Sequence, residues 1–359
     1  VKVEGAKDDE PKELKWSECA ACYMWGTTGI VYNEDAINEI GSLDDVSSWK
    51  ILTNENYKRR VTIKDNVRDS YFTALGIANL SDLSEEELAQ IDRDTVLNAK
   101  DEESVAKAED VLKKIKDNVY SFETDSGKAD MITGKVAANL QWSGDAVYIM
   151  DQAESDKANP TELWFSVPEE CTNLWFDGWV MLKDGIGDDE KKQEAAEAFV
   201  NFLSRPDNAI RNMYYIGYTS AIAGQTVLDY LNNNYEPEEG AEIYDYDLSY
   251  FFGSDLDAVI VADASTFDAF DENGNPNRGR QLFAQYPPLN VIERSVVMRD
   301  FEDALPAINQ MWINVRCLDV KDFDPAVVWT VLGIAIAGGA AITLYKLRYK
   351  IFIRLEKTA

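Results

Sequence analysis

Three observations predict a mixed α/β fold that carries one membrane-crossing helix at its C-terminal end. Apolar runs of strand length alternate with segments of helical periodicity along most of the chain. Of the 359 residues, 45% are hydrophobic, enough to bury a substantial core and, by length, to form two or three domains. Near the C-terminus, Val327 to Tyr345 read VVWTVLGIAIAGGAAITLY, nineteen residues without a charge. That length crosses a bilayer core as a helix, and the competing reading is a buried helix of a soluble protein.

The opening VKVEGAKDDEPKELKW has no apolar h-region. An exported domain with that start is expected either to have lost its leader or to begin inside a longer product. Cys19-Ala-Ala-Cys22 has redox or half-zinc-site spacing, but no second CxxC completes a metal site, and two semi-buried thiols or a local disulfide also explain it. From 30 to 62, the apolar runs GIVYN, WKILT and RRVTI alternate with turn-like NED and SLDD, which reads as short strands. DNVRDSYFTALGIANL then places Val67, Tyr71, Phe72, Leu75 and Ile77 at helical spacing. LSEEELAQIDRDTV and ESVAKAEDVLKKIKDNV follow as amphipathic helices with solvated charged faces, the first opened by Ser84 with Glu87 three residues on, a capping box.

GKVAANLQWSGDAVYIM reads as a strand running into a helix, and DDEKKQEAAEAFVNFLSRPDNAIRNMYYIGY as two helices broken at Arg205-Pro206. Residues 236–285 are rich in Gly, Asn and acids and read as an insertion or long excursion. Asp271, Asn273 and Asn275 imitate the start of a calcium loop, but no Glu falls at the twelfth position, so a turn suffices and no metal is expected. After the apolar segment come Lys346, Arg348, Lys350, Arg354 and Lys357 against Glu356 alone. The positive-inside rule puts this basic tail in the cytoplasm and the acidic bulk of the chain outside, with Trp329 and Tyr345 near the two interfaces.

Composition removes several functions. The net charge of −30 argues against nucleic acid and toward cationic partners. With no histidine, Ser-His-Asp triads, Cys-His pairs and His-ligated zinc are excluded.

The most informative stretch is LWFDGWVML, residues 174 to 182, where one acid, Asp177, stands among Trp175, Phe176 and Trp179. Asp177-Gly178 is a strong hairpin-turn signal, in which the carboxylate would cap its own backbone. Alternatively, an acid in an aromatic run is stabilised by a fixed cation, since a buried unpaired carboxylate costs several kcal/mol or protonates.

Five blocks, CYMWGTTGIVYN (22 to 33), DNVRDSYFTALG (65 to 76), LQWSGDAVY (140 to 148), LWFDGWVML and FVNFLSRPDNAIRNMYYIGYTS (199 to 220), resemble in order and spacing the spermidine/putrescine-binding proteins of ABC importers. The resemblance covers roughly residues 20 to 318 and is weakest over 236–285. It implies a two-lobed, type II periplasmic-binding-protein fold, no enzymatic activity, no cofactor, a polyamine ligand in the interlobe cleft, and ABC permease and ATPase subunits as partners. By motif, Trp175 and Trp142 would be aromatic walls, Asp177 and Asp69 carboxylates for ligand amines, Tyr218 a hydroxyl partner, and Trp25 a hinge or cleft-floor residue. Asn66 and Met298 stand where the family has an acid and a glutamine, which leaves room for a smaller diamine or another amine.

The implied organisation is partial lobe one and the first crossover in 1–31, lobe two in 32–172, a return to lobe one in 173–221, the rest of lobe two in 222–320, a transmembrane helix in 326–345 and a basic tail in 346–359. Because only about twenty residues precede YMWGTT, lobe one is expected to be incomplete within this chain. Asp with Trp also makes sugar sites, so the alternative is an extracytoplasmic carboxylate-dyad enzyme acting on carbohydrate.

Overall fold

The computed structural model describes residues 15–317 and 325–356; the first fourteen residues of the acidic opening and the last three of the basic tail, Lys357 included, lie outside the described residues. The chain divides into two units, Val1–Asn309 and Gln310–Ala359.

The first unit is organised by one long strand. β1 (Ala21–Tyr32) pairs along its second half with β4 (Ala138–Trp142) and β5 (Trp164–Ser166), both antiparallel. Beyond β4 the main sheet continues in parallel through β2 (Val61–Lys64) to β3 (Ser121–Glu123). Along its first half β1 pairs instead with β6 (Thr172–Trp179) and β7 (Thr219–Ser220). The run YMWGTTGIVY is therefore one strand serving two sets of neighbours, Trp25 to Gly26 on one side of the change and Thr28 onward on the other. β6 makes the same change: Thr172 and Asn173 pair with β12 (Ser295–Val296), and Leu174 onward with β1.

The helices arise where the sequence places caps. Asn66 opens the helix Val67–Asn79, its side-chain oxygen accepting from the Arg68 and Asp69 N–H groups, and that helix buries Tyr71, Phe72 and Leu75. Ser84 and Glu87 form the expected capping box, but the helix they open, Glu85–Leu88, is a single turn, and Asp92 caps a separate one, Arg93–Leu97. Pro206 sits at the first turn of the helix Pro206–Ile216, directly after the helix Glu190–Leu203, where its missing N–H costs nothing.

Some local expectations change. WKILT is not a strand but a 3-10 turn, Trp49–Leu52, because Ser48 caps it, Glu170 accepts the Trp49 N–H, and the Trp49 indole donates to Cys171 O at 2.9 Å. NED and SLDD likewise begin a helix (Glu34–Ile40) and a 3-10 turn (Leu43–Ser47). The 236–285 stretch is built into the fold: β8 (Ile243–Asp247) and β9 (Val259–Asp263) form a two-stranded sheet, while β10 (Phe267–Phe270) and β11 (Pro276–Gly279) extend the main sheet beyond β5. Tyr246, Ile260, Phe267 and Phe283 from this stretch join Trp25, Val31, Ile149 and Phe165 in the hydrophobic core. The Asp271 carboxylate accepts the Asn273 and Asn275 N–H groups and the Asn290 amide, a self-satisfied turn. No metal-holding group of acids or cysteines occurs among the described residues.

Several large apolar side chains of this unit are exposed. The helix Glu190–Leu203 buries none of its side chains, and Phe199, Phe202, Tyr214, Tyr215, Val180 and Leu182 are exposed. In the second unit, the 32-residue helix Pro325–Glu356 contains one segment, Trp329–Arg348, long and apolar enough to cross a membrane, with mean hydropathy 1.6 and none of it buried.

Candidate functional site

Where β1 and β6 change partners, two glycines make room for two aromatic rings. Gly26 lies opposite Trp175 in the β1–β6 pairing, and a Cβ there would fall 2.6 Å from the indole. Gly144 lies under Tyr218, whose ring a Cβ would meet at 2.2 Å. The two rings pack against each other at 5.5 Å between centroids, and the Trp175 indole donates to Thr27 O at 3.1 Å, which fixes its plane.

These rings form part of a cavity of about 310 Å³ lined by Asn66, Arg68, Asp69, Trp142, Asn173, Trp175, Asp177, Tyr218 and Met298. Seven of the eight residues singled out in the sequence meet here. The eighth, Trp25, does not line it: its ring stacks on Phe251 at 5.4 Å and faces Tyr286 edge-on at 6.1 Å within the core. Trp25 is thus placed as a packing residue at the point where β1 changes partners.

Asp177 and Gly178 lie inside β6, Gly178 opposite Cys22 of β1 and Asp177 at an irregularity in that pairing, so the hairpin-turn reading of Asp-Gly is ruled out. The Asp177 carboxylate is exposed, with its affinity for a proton raised by partial burial alone. Asp69, in the first turn of its helix, is 5% exposed. Burial pushes its carboxyl up to about 6, opposed by a hydrogen bond to Trp142 and by the charges of Lys64 and Arg68. Burial, aided by the charge of Asp145 and a hydrogen bond to it, raises the Tyr218 hydroxyl, which therefore stays a neutral donor. Asn66 is less available than its place on the lining suggests, because its side-chain oxygen already caps the helix.

Sequence reasoning missed Arg68 and Asn173. Arg68 directs its guanidinium to the main-chain oxygens of Arg299 (2.8 Å) and Met298 (3.5 Å), and so ties the helix Val67–Asn79 to the segment bearing Met298. Its place next to Asp69 in NVRDSY was the available signal. Asn173 is buried and its oxygen accepts the Met298 N–H at 3.4 Å; nothing local in TNLW marked it.

Chemically, the cavity offers two carboxylates, flat aromatic walls, amides and a neutral hydroxyl. That set suits a flexible cation with methylene segments: ammonium groups find carboxylates and ring faces, and the chain between them finds apolar surface.

Residues 4–226 match the family model described as bacterial extracellular solute-binding protein. Among curated relatives, a putrescine/agmatine-binding protein of Pseudomonas aeruginosa is 28% identical over 204 residues, covering 55% of this chain and 50% of its own length. The putrescine-binding periplasmic protein PotF of Escherichia coli is 30% identical over 216 residues, 57% of this chain and 52% of its own. The chain spans about half the length of the curated relatives it matches. Among solved structures, the spermidine/putrescine ABC transporter substrate-binding protein PotD from Streptococcus pneumoniae superposes with a TM-score of 0.53 at 23% identity, over 84% of this chain and 69% of that one. A spermidine/putrescine ABC transporter protein from Listeria monocytogenes gives 0.55 at 19% identity, over 83% and 69%. These likenesses assign the mixed α/β fold to the type II periplasmic-binding-protein class. With its family model matched over more than half of its length, the chain belongs to the bacterial extracellular solute-binding proteins.

Proposed function

We propose that the cavity binds an organic amine of the polyamine class, with Asp69 and Asp177 receiving ammonium groups, Trp142 and Trp175 packing on the chain between them, and Tyr218 supplying a hydroxyl contact. The observation that carries this reading is convergence: carboxylates and indoles from three separate segments line one cavity of about 310 Å³. Each cation-aromatic contact contributes about 0.5–2 kcal/mol and each charge-assisted hydrogen bond about 1.5–3. Four or five of them reach micromolar affinity, about −8 kcal/mol, after ordering costs. The names of the relatives point to the same ligand class. Titration calorimetry of the full chain against putrescine, spermidine and a panel of sugars tests it; heat from a sugar and none from any amine would overturn the reading.

In the same proposal, residues 1–31 and 173–221 belong to one lobe and 32–172 with 222–320 to the other, so that ligand bound between them closes the cleft. The protein hands its amine to the permease of an ABC importer driven by an ATPase. The helix Pro325–Glu356 anchors the chain: the apolar side chains of its Trp329–Arg348 segment are exposed on all sides, as lipid contact requires and a solvated helix does not. The basic residues from Lys346 onward support, by the positive-inside rule, a cytoplasmic C-terminal end. Protease added outside sealed spheroplasts should digest the acidic domain and spare the tail; a tail cut from outside would reverse this orientation.

A further inference from the structure

Against the Trp142 ring lies a cation that is absent from the lining of the cavity. Lys64, the last residue of β2, is fully buried. Its ammonium stands 3.3 Å from Glu123 Oε1 and 3.7 Å from Asp145 Oδ2, donates to Thr124 O at 3.0 Å, and lies 4.6 Å from the centroid of the Trp142 ring. Glu123 is held in turn by the Gly127 N–H at 2.9 Å and the Gln141 amide at 3.3 Å, and Asp145 by Lys128 at 3.4 Å. β2, β3, the helix Ser126–Ile132 and the helix Ser143–Ser155 each contribute a charge. Lysine is almost never fully buried unless it is paired, as here, and even then an apolar side chain of the same volume would fill such a site without the cost of desolvating an ion. Fold stability alone does not account for it.

We propose that Lys64 determines specificity in this cavity: its fixed ammonium already takes the electrostatic place at the Trp142 ring that a further ligand ammonium would take, so that the cavity accepts amines with two cationic groups over those with three. This inference rests on the amine-binding reading above. An indole has one quadrupole shared by two faces, and a cation held on one face repels a second cation across the ring, with little screening where water is excluded. The charges on the lining agree. Asp69 and Asp177 provide counter-ions for two ammonium groups; a third meets Lys64 at the Trp142 ring and Arg68 beside Asp69.

The test is the ratio of spermidine to putrescine affinity, measured by calorimetry on the full chain. The wild type should favour putrescine. In Lys64→Met/Glu123→Gln, which removes the cation together with one of its counter-ions and so leaves no new unpaired charge, the ratio should move toward spermidine by about tenfold. Glu123→Gln alone keeps the Lys64 ammonium and should keep the wild-type preference. A folded double variant with an unmoved ratio, a single variant that shifts as far as the double one, or a wild type that prefers spermidine would each overturn the role of Lys64. Binding of no amine by the wild type would overturn the reading of the cavity itself, and this inference with it.

Discussion

The two carboxylates of the cavity sit at opposite extremes of environment. Asp69 is buried in the first turn of a capped helix, with Lys64 and Arg68 near and the Trp142 indole bonded to it. Asp177 stands on a strand facing solvent, its only perturbation the partial loss of water. The same side chain therefore does two jobs. At the buried end the charge acts in a dry setting, where each ligand contact is strong but holding the charge ready is costly; at the exposed end the carboxylate is screened by water.

The largest effect that would sharpen this contrast comes from Asp69→Asn. It should weaken amine binding by about 3 kcal/mol, the upper end for a charge-assisted bond, and yet stabilise the fold at neutral pH. The sign follows from the raised carboxyl: the folded state holds the Asp69 proton up to about 6 against an ordinary 3.8, so stability is highest below about 3.8 and falls as pH rises through that window. The loss across it is about 3 kcal/mol. A thermal melt at neutral pH checks it, and an Asn variant that melts below the wild type would break the comparison.

Asp177→Asn should cost about 1.5 kcal/mol of binding and leave the melt unchanged, since no intramolecular partner is lost. Wild-type affinity in this variant would mean that the exposed carboxylate does not touch the ligand.

A smaller effect is the pH dependence itself. The ligand binds the ionised form of Asp69, so affinity should fall about tenfold per pH unit below 6 and level off above it. The slope should vanish in Asp69→Asn and persist in Asp177→Asn. Titrations between about pH 5 and pH 7.5 would show it, and a flat wild-type profile would mean that Asp69 carries no proton to displace.

The kinds of residue in the cavity were legible in the sequence because each is marked locally: indoles in LQWSGD and LWFDGW, an acid in the first turn of a helix in NVRDSY, a tyrosine after the helix-ending glycine of IGY. Their convergence was legible only through the order and spacing of whole blocks. Residues without a local mark, Asn173 above all, escaped notice.

By itself the sequence determined the alternation of strands and helices, the Ser84 and Pro206 helix starts, and the long apolar C-terminal segment, since periodicity, capping and hydropathy are properties of neighbouring residues. Only the tertiary structure decided that Asp177-Gly178 is strand and not turn, that WKILT coils against Glu170 and Cys171, that Trp25 packs in the core and not in the cavity, and that Lys64 lies paired against the Trp142 ring. In each case the deciding partner lies far away in the chain: β1 for Asp177, the Glu170–Cys171 carbonyl and carboxylate for Trp49, Phe251 for Trp25, Glu123 and Asp145 for Lys64. A side chain's charge state and its contacts are set by what the fold brings to it, and no local pattern encodes that.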